Sequence, residues 1–183
     1  MQKTYLCIDL KSFYASVECV ELGLDPFKVN LVVADPTRGG GAITLAATPA
    51  IKKLGVSSRG RIFEIDPKIE YMMAPPRMHL YMEYSCKVYK VFLEFIAKED
   101  IHVYSIDESF LDVTSYLKLY QVNAKELAKK ILDRIYEKTG LTATVGIGTN
   151  LYLAKIAMDI SAKHNADRMA YLNEDLYRQT LWH

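Results

Sequence analysis

Two periods of apolar spacing run along this chain, and together they predict most of its elements. Thr4 to Ile8 is a short apolar run that Asp9 ends, which reads as a strand. Phe13, Val17 and Val20 recur at near-helical spacing and predict a helix from about Phe13 to Leu22, with Ser12 as its cap. Asn30 to Ala34 and Ala42 to Ala46 read as strands on either side of the flexible Arg38–Gly41 turn. Thr48 as N-cap, Pro49 at the first helical position and Gly55 at the end frame a short helix carrying Lys52 and Lys53. Met82 to Ala97 returns to helical spacing, with Cys86, Tyr89, Leu93 and Ile96 as its apolar stripe. His102–Ile106 and Phe110–Thr114 are β-prone runs on either side of Asp107 and Glu108. Asn123 and Glu126 form a capping-box pattern ahead of a helix that ends at Gly140 and buries Leu127, Ile131 and Ile135. Ala143 to Gly148 reads as a strand, Asn150 to about Lys163 as a helix, and Arg168 to Leu172 as a last strand. Asn173 then caps a short final helix.

Residues 23–75, rich in Pro and Gly, read as a small inserted lobe. Without it the order is β-α-β-β-α-β, which predicts an α+β, ferredoxin-like fold: an antiparallel sheet backed by helices on one face.

Composition narrows the classes only a little. Half of the 183 residues are hydrophobic and the formal net charge is +1, an ordinary globular balance. The distribution says more. Between Lys28 and Phe63 stand six basic residues, Lys28, Arg38, Lys52, Lys53, Arg59 and Arg61, against the single acid Asp35. A basic lobe beside an acidic centre suits a polyanion held with metal ions, although a solvated basic face has the same composition. Cys7, Cys19 and Cys86 form no C-x-x-C pair or zinc spacing and fit buried, reduced thiols in a cytoplasmic protein. No apolar run approaches membrane-spanning length, and no signal-peptide core precedes Asp9.

The chemistry concentrates at Asp107 and Glu108. Adjacent anions at a hairpin tip repel, and a cation between them relieves the cost. Asp9, at the end of the first strand, is placed to join them at one sheet edge. Three carboxylates without His or Cys suit hard cations, Mg²⁺ above all. Two such ions can clamp the attacking and leaving oxygens of a phosphoryl transfer, which makes nucleotidyl transfer a concrete candidate.

Ile8–Glu18 (IDLKSFYASVE), Ser105–Thr114 (SIDESFLDVT) and Asn150–Asp159 (NLYLAKIAMD) resemble the three signature stretches of the Y-family translesion DNA polymerases, the UmuC/DinB type. The resemblance implies a palm of about residues 1–22 and 76–170, fingers of about 23–75, and a segment 171–183 leading toward a thumb. It implies template-directed addition of deoxynucleoside triphosphates to the primer 3′ end of a primer–template DNA, across damaged bases, in DNA repair and damage tolerance. It implies two Mg²⁺ ions held by Asp9, Asp107, Glu108 and the Leu10 carbonyl, with Asp9, Asp107 and Glu108 as the catalytic carboxylates. Tyr14 falls at the steric gate that excludes a ribose 2′-hydroxyl, Phe13 at the sugar pocket, and Lys155 at a lysine that contacts the triphosphate. The fingers match less closely. Thr48 or Pro49 falls at a position where the family commonly has Tyr, and Lys52 at one where it commonly has Arg, with Lys53 as the competing register. Lys11 stands where many members have Asp or Asn.

Family members continue into a thumb and a DNA-gripping domain, so this chain is expected to be part of a longer protein and weakly active or inactive alone. Two other readings remain at this stage. One is a non-catalytic palm-like module that binds nucleotide or a repair partner. The other is a different enzyme on a similar palm, such as a nucleotide cyclase.

Overall fold

A computed structural model describes residues 2–182. Met1 and His183, the outermost residues of the predicted segments 1–22 and 171–183, lie outside the described residues. The chain forms two compact units, one of Met1–Leu10 with Ser85–His183 and the other of Lys11–Tyr84. These limits differ from the lobe boundaries read from the sequence, because the helix after the first strand packs within the second unit.

The first unit is built on a five-stranded sheet in the order β5-β6-β1-β7-β8. Its strands are β1 (Tyr5–Leu10), β5 (Ile101–Val103), β6 (Glu108–Asp112), β7 (Ala143–Gly148) and β8 (Met169–Leu172). β1 lies antiparallel between β6 and β7, and β8 adds a parallel partner to β7. The first four strands give the expected ferredoxin-like core, with β8 extending its edge.

Alternation along β1 divides the sheet into two faces. Helix α5 (Ala124–Thr139) carries the capping box of Asn123 and Glu126 and buries Leu127, Ile131 and Ile135, as expected. Val145 and Ile147 on β7 are buried on one face. The opposite face holds Cys7, Phe110, Ala154 and Met158 in one apolar cluster. There α6 (Leu151–Ile156), capped by Asn150, runs on as a π-helix over Ala157–Ala162. That helix lies almost on the strand. A Cβ on Gly146 would meet the Ala154 carbonyl and the Met158 backbone, and one on Gly148 would meet the Ala154 backbone. Gly146→Ala is therefore expected to cost at least about 2 kcal/mol, because the contact is with backbone that cannot rotate away. Urea denaturation measures it, and a change below 0.5 kcal/mol, within the ordinary surface range of about that size, would contradict the close approach.

The second unit holds α1 (Phe13–Glu21) and a small sheet in the order β3-β2-β4, made of β3 (Ala46–Ala47), β2 (Leu31–Val33) and β4 (Met72–Ala74). Val32, Ala47, Ile51, Val56 and Ile65 form its core. The short helix α2 (Pro49–Lys52) starts at Thr48 as expected.

Several local readings are corrected. Ser12 precedes α1 but sits at φ 50° and its side chain makes no cap. The strand expected over Ala42–Ala46 shrinks to Ala46–Ala47, because upstream only Ile43 finds a bridge, to Arg61. Helix α3 (Met78–Leu93) starts earlier than its stripe suggested and buries Tyr81, Tyr84, Val88, Val91 and Phe92, whereas Cys86 and Leu93 are exposed. Its sequence is apolar on more than one side, so two stripes satisfy helical spacing and only packing chooses between them. Helix α4 (Thr114–Tyr120) was not read from the sequence. It has no side-chain cap, and Thr114 Oγ1 is occupied by Asp112 and Thr4. Cys7 and Cys19 are buried free thiols, and Cys86 is an exposed one.

Candidate active site

The site is assembled by strand register. Asp9 on β1 stands opposite Glu108 on β6, and the Leu10 amide donates to the Asp107 carbonyl at 2.9 Å. At the hairpin tip the amides of Tyr104 and Ser105 both donate to the Glu108 carbonyl, each at 3.0 Å. This tight bend lets adjacent acids serve one edge, since on a straight strand they would face opposite ways. Ser105 Oγ holds Asp107 Oδ1 at 2.8 Å. Sequence reading placed Asp9, Asp107 and Glu108 together, and the fold brings them to one end of β1 and β6.

The electrostatics come from a helix on the Cys7 face. Glu108 is buried, and its Oε1 accepts from Lys155 Nζ at 2.6 Å and from the Cys7 thiol at 3.2 Å. Lys155 also lies 3.3 Å from Asp159 and 5.3 Å from the Tyr104 ring centroid. Burial works against its charge, but the hydrogen bond and charge of Glu108, with Asp159, outweigh that and push its pKa up. Burial and the neighbouring Glu108 push the Cys7 thiol up, so it stays protonated and able to donate. Lys163 pairs with Asp159 at 2.8 Å and with Asp9 at 3.7 Å. Each acid of the β1–β6 pair thus faces a lysine, Lys155 within this helix and Lys163 at its C-terminal cap.

Asp9 is the strained member. Burial first, and then the charges of Asp107, Glu108 and Asp159 against the opposing help of Lys163, raise its pKa from 3.8 to about 6. A carboxyl raised on folding contributes its full stability below its unfolded pKa and loses it as pH rises through the folded one. The window here runs from about pH 4 to about pH 6. In chelator, Asp9→Asn is expected to stabilise the chain at pH 7.5, by on the order of 1–3 kcal/mol, relative to its effect at pH 4. Urea midpoints at the two pH values measure this, and an Asn variant no better off at pH 7.5 than at pH 4 would refute the burial argument.

Apart from Lys155, the predicted nucleotide residues lie in the unit of Lys11–Tyr84. Phe13 is buried, with its centroid 5.6 Å from that of Tyr14. Lys52 reaches Ser12 Oγ at 3.1 Å, just ahead of Phe13 and Tyr14, and Lys53 is exposed. Lys11 Nζ lies 5.9 Å from the Phe27 ring centroid. Thr48 is different. It is fully buried, donates to the Val29 carbonyl at 2.7 Å, and accepts from the amides of Leu31 and Ile51. A hydroxyl has one proton and two lone pairs, so Thr48 has no bonding capacity left for a ligand. Its role is to join α2 to β2.

Sequence reading passed over Cys7, Asp159 and Lys163. The last two carried a signal. Lys155, Asp159 and Lys163 recur every four residues with alternating sign, which marks one charged helix face.

The donor chemistry at the β1–β6 edge is all oxygen and fits a hard divalent cation. As the side chains stand, no group of three or more His, Cys, Asp or Glu among the described residues is gathered closely enough to hold one. Asp9 and Glu108 are instead paired with lysines, and Asp107 with Ser105.

A family model described as "IMS: impB/mucB/samB family" matches residues 8–159. UvrX of Bacillus subtilis (strain 168), whose name assigns it to UV-damage repair, is 39% identical over 184 residues, covering 99% of this chain and 42% of the relative. "DNA polymerase IV 2" of the same organism is 37% identical over 185 residues, covering 99% of this chain and 43% of its own length. Among solved structures, the "Insertion ternary complex of Dbh DNA polymerase" superposes with a TM-score of 0.79 at 28% identity, over 96% of this chain and 50% of that one. The chain thus spans less than half the length of these two relatives. Among the described residues no helix is long and apolar enough to cross a membrane.

Proposed function

The chain belongs to the impB/mucB/samB family, and on that premise we propose that it is the palm and fingers part of a cytoplasmic, template-directed translesion DNA polymerase. Its substrates are then primer–template DNA and deoxynucleoside triphosphates, and its setting is DNA repair. The observation that carries the reading is the cross-strand pairing of Asp9 with Glu108, beside Asp107 at the tip. In this reading the palm is residues 1–22 and 76–170 and the fingers are residues 23–75.

Asp9, Asp107, Glu108 and the Leu10 carbonyl are the groups that would hold divalent metal, with two Mg²⁺ ions as the finer expectation. Bound there, Mg²⁺ would supply charge stabilisation for in-line nucleotidyl transfer. The chain's own cations serve the anionic substrate. Lys163, which stands beside Asp9, and Lys52, which stands beside Ser12, are the cations this reading assigns to phosphate oxygens, each on its own unit. Lys155 is closed on Glu108, and its role is to hold and aim that buried carboxylate. Tyr14 excludes the ribose 2′-hydroxyl by clash.

The lysine-closed acids favour a second reading, a non-catalytic module in which these ion pairs are structural. Primer extension by a full-length protein carrying these residues, with Mg²⁺ and with chelator, separates the two. Extension that depends on Mg²⁺ supports the polymerase. Its absence under both conditions supports the module.

A further inference from the structure

The unit of Lys11–Tyr84 contains a buried carboxylate, paired with a half-exposed arginine, that the metal and nucleotide chemistry does not use. Glu18 on α1 is 3% exposed. Its carboxylate takes a bidentate grip from Arg77, with Nε at 3.1 Å from both oxygens and Nη2 at 2.5 Å from Oε2. It also accepts from the Tyr81 hydroxyl at 2.6 Å. The Tyr81 side chain is wholly buried, and its ring is stacked on Tyr14 with centroids 4.3 Å apart and planes 13° from parallel. Phe13 closes the group from the side, its centroid 6.4 Å from that of Tyr81.

A buried carboxylate is costly to keep, and hydrophobic residues of similar volume would often be as stable. What this pair supplies is direction. A bidentate guanidinium fixes the plane of the carboxylate. The carboxylate then fixes the one polar atom of Tyr81, whose ring backs Tyr14. Stacking alone would let Tyr81 slide in its own plane, because the dispersion surface is flat. A charge-assisted hydrogen bond at its tip prevents that.

We propose that the Glu18–Arg77 ion pair, acting through the Tyr81 hydroxyl, holds the ring of Tyr14 in place and so sets how strictly the site refuses a ribose. The inference rests on the reading of Tyr14 as the steric gate. Glu18, Arg77 and Tyr81 are positioning residues in it.

Tyr81→Phe isolates the link. It keeps the stack and the ion pair and removes only the hydroxyl. Glu18→Gln is the second variant, which keeps an acceptor for Tyr81 but loses the bidentate ionic grip. Each is compared with the unchanged protein and with Tyr14→Ala in single-nucleotide incorporation by a full-length protein, using a ribonucleotide and the matching deoxynucleotide. The readout is the ratio of the two efficiencies in one preparation, which a smaller folded fraction does not move. Tyr81→Phe is expected to raise ribonucleotide use relative to deoxynucleotide use about threefold to tenfold, a part of what one hydrogen bond to a charged group is worth, because the hydroxyl acts on Tyr14 only through the stack. Glu18→Gln is expected to move it the same way. If Tyr14→Ala shifts the ratio and neither Tyr81→Phe nor Glu18→Gln does, the positioning inference is wrong and the gate stands. If Tyr14→Ala leaves the ratio unchanged, the gate reading fails and takes the inference with it.

Discussion

Asp107→Ala is expected to lower nucleotidyl transfer by at least about a thousandfold, or about 4 kcal/mol of transition-state stabilisation. The expectation comes from where the residue stands. Asp107 sits at the hairpin tip beside the Asp9–Glu108 pair, and its main chain is pinned by the Leu10 amide at 2.9 Å. Removing the side chain deletes one of the oxygen donors and leaves that backbone bond in place. Among the described residues one side-chain hydrogen bond goes with it, the one from Ser105 at 2.8 Å, worth about 1 kcal/mol. Folding should therefore survive while transfer does not, and circular dichroism beside primer extension by a full-length protein tests both halves. Asp9→Ala should act alike on transfer. Near wild-type extension in either variant would sink the assignment of the metal ligands.

Tyr14→Ala is expected to raise ribonucleotide incorporation relative to deoxynucleotide incorporation by roughly a hundredfold, equivalent to about 2.7 kcal/mol of lost discrimination. The ring is half-buried and braced from behind by Tyr81 at 4.3 Å, so it cannot retreat from a 2′-hydroxyl by a small rotation. A braced clash discriminates more strongly than a free one, because the wrong substrate must displace the whole stack. Deoxynucleotide incorporation should change much less than ribonucleotide incorporation. An unchanged ratio would reduce Tyr14 to an ordinary packing residue.

What the sequence determined by itself was local. The capping box of Asn123 and Glu126, the Asn173 cap, the Pro49 helix start and the strand Ala143–Gly148 are all found where the residues called for them. Each depends on groups within a few positions of one another, so spacing alone specifies it. The ferredoxin-like core was legible for the same reason, since the order of elements restricts how one sheet can be connected. The convergence of Asp9 with Glu108 followed from that order.

Tertiary structure decided the rest. Nothing near Lys155 in the chain says that it will close on Glu108, which is 47 positions away and reaches it only because α6 lies against Gly146 and Gly148. Thr48 is one of two residues, with Pro49, that fall at the family's Tyr position, yet three hydrogen bonds inside its own unit consume its hydroxyl. Of the stripe read along α3, Ile96 is buried while Cys86 and Leu93 are exposed, because the sequence offers two apolar sides and only the partners packed against it select one. Arg77 and Tyr81 find Glu18 across 59 and 63 positions. Periodicity reports which face of an element is apolar, but which side chain meets which is settled by sheet register and helix approach, and those exist only in the folded chain.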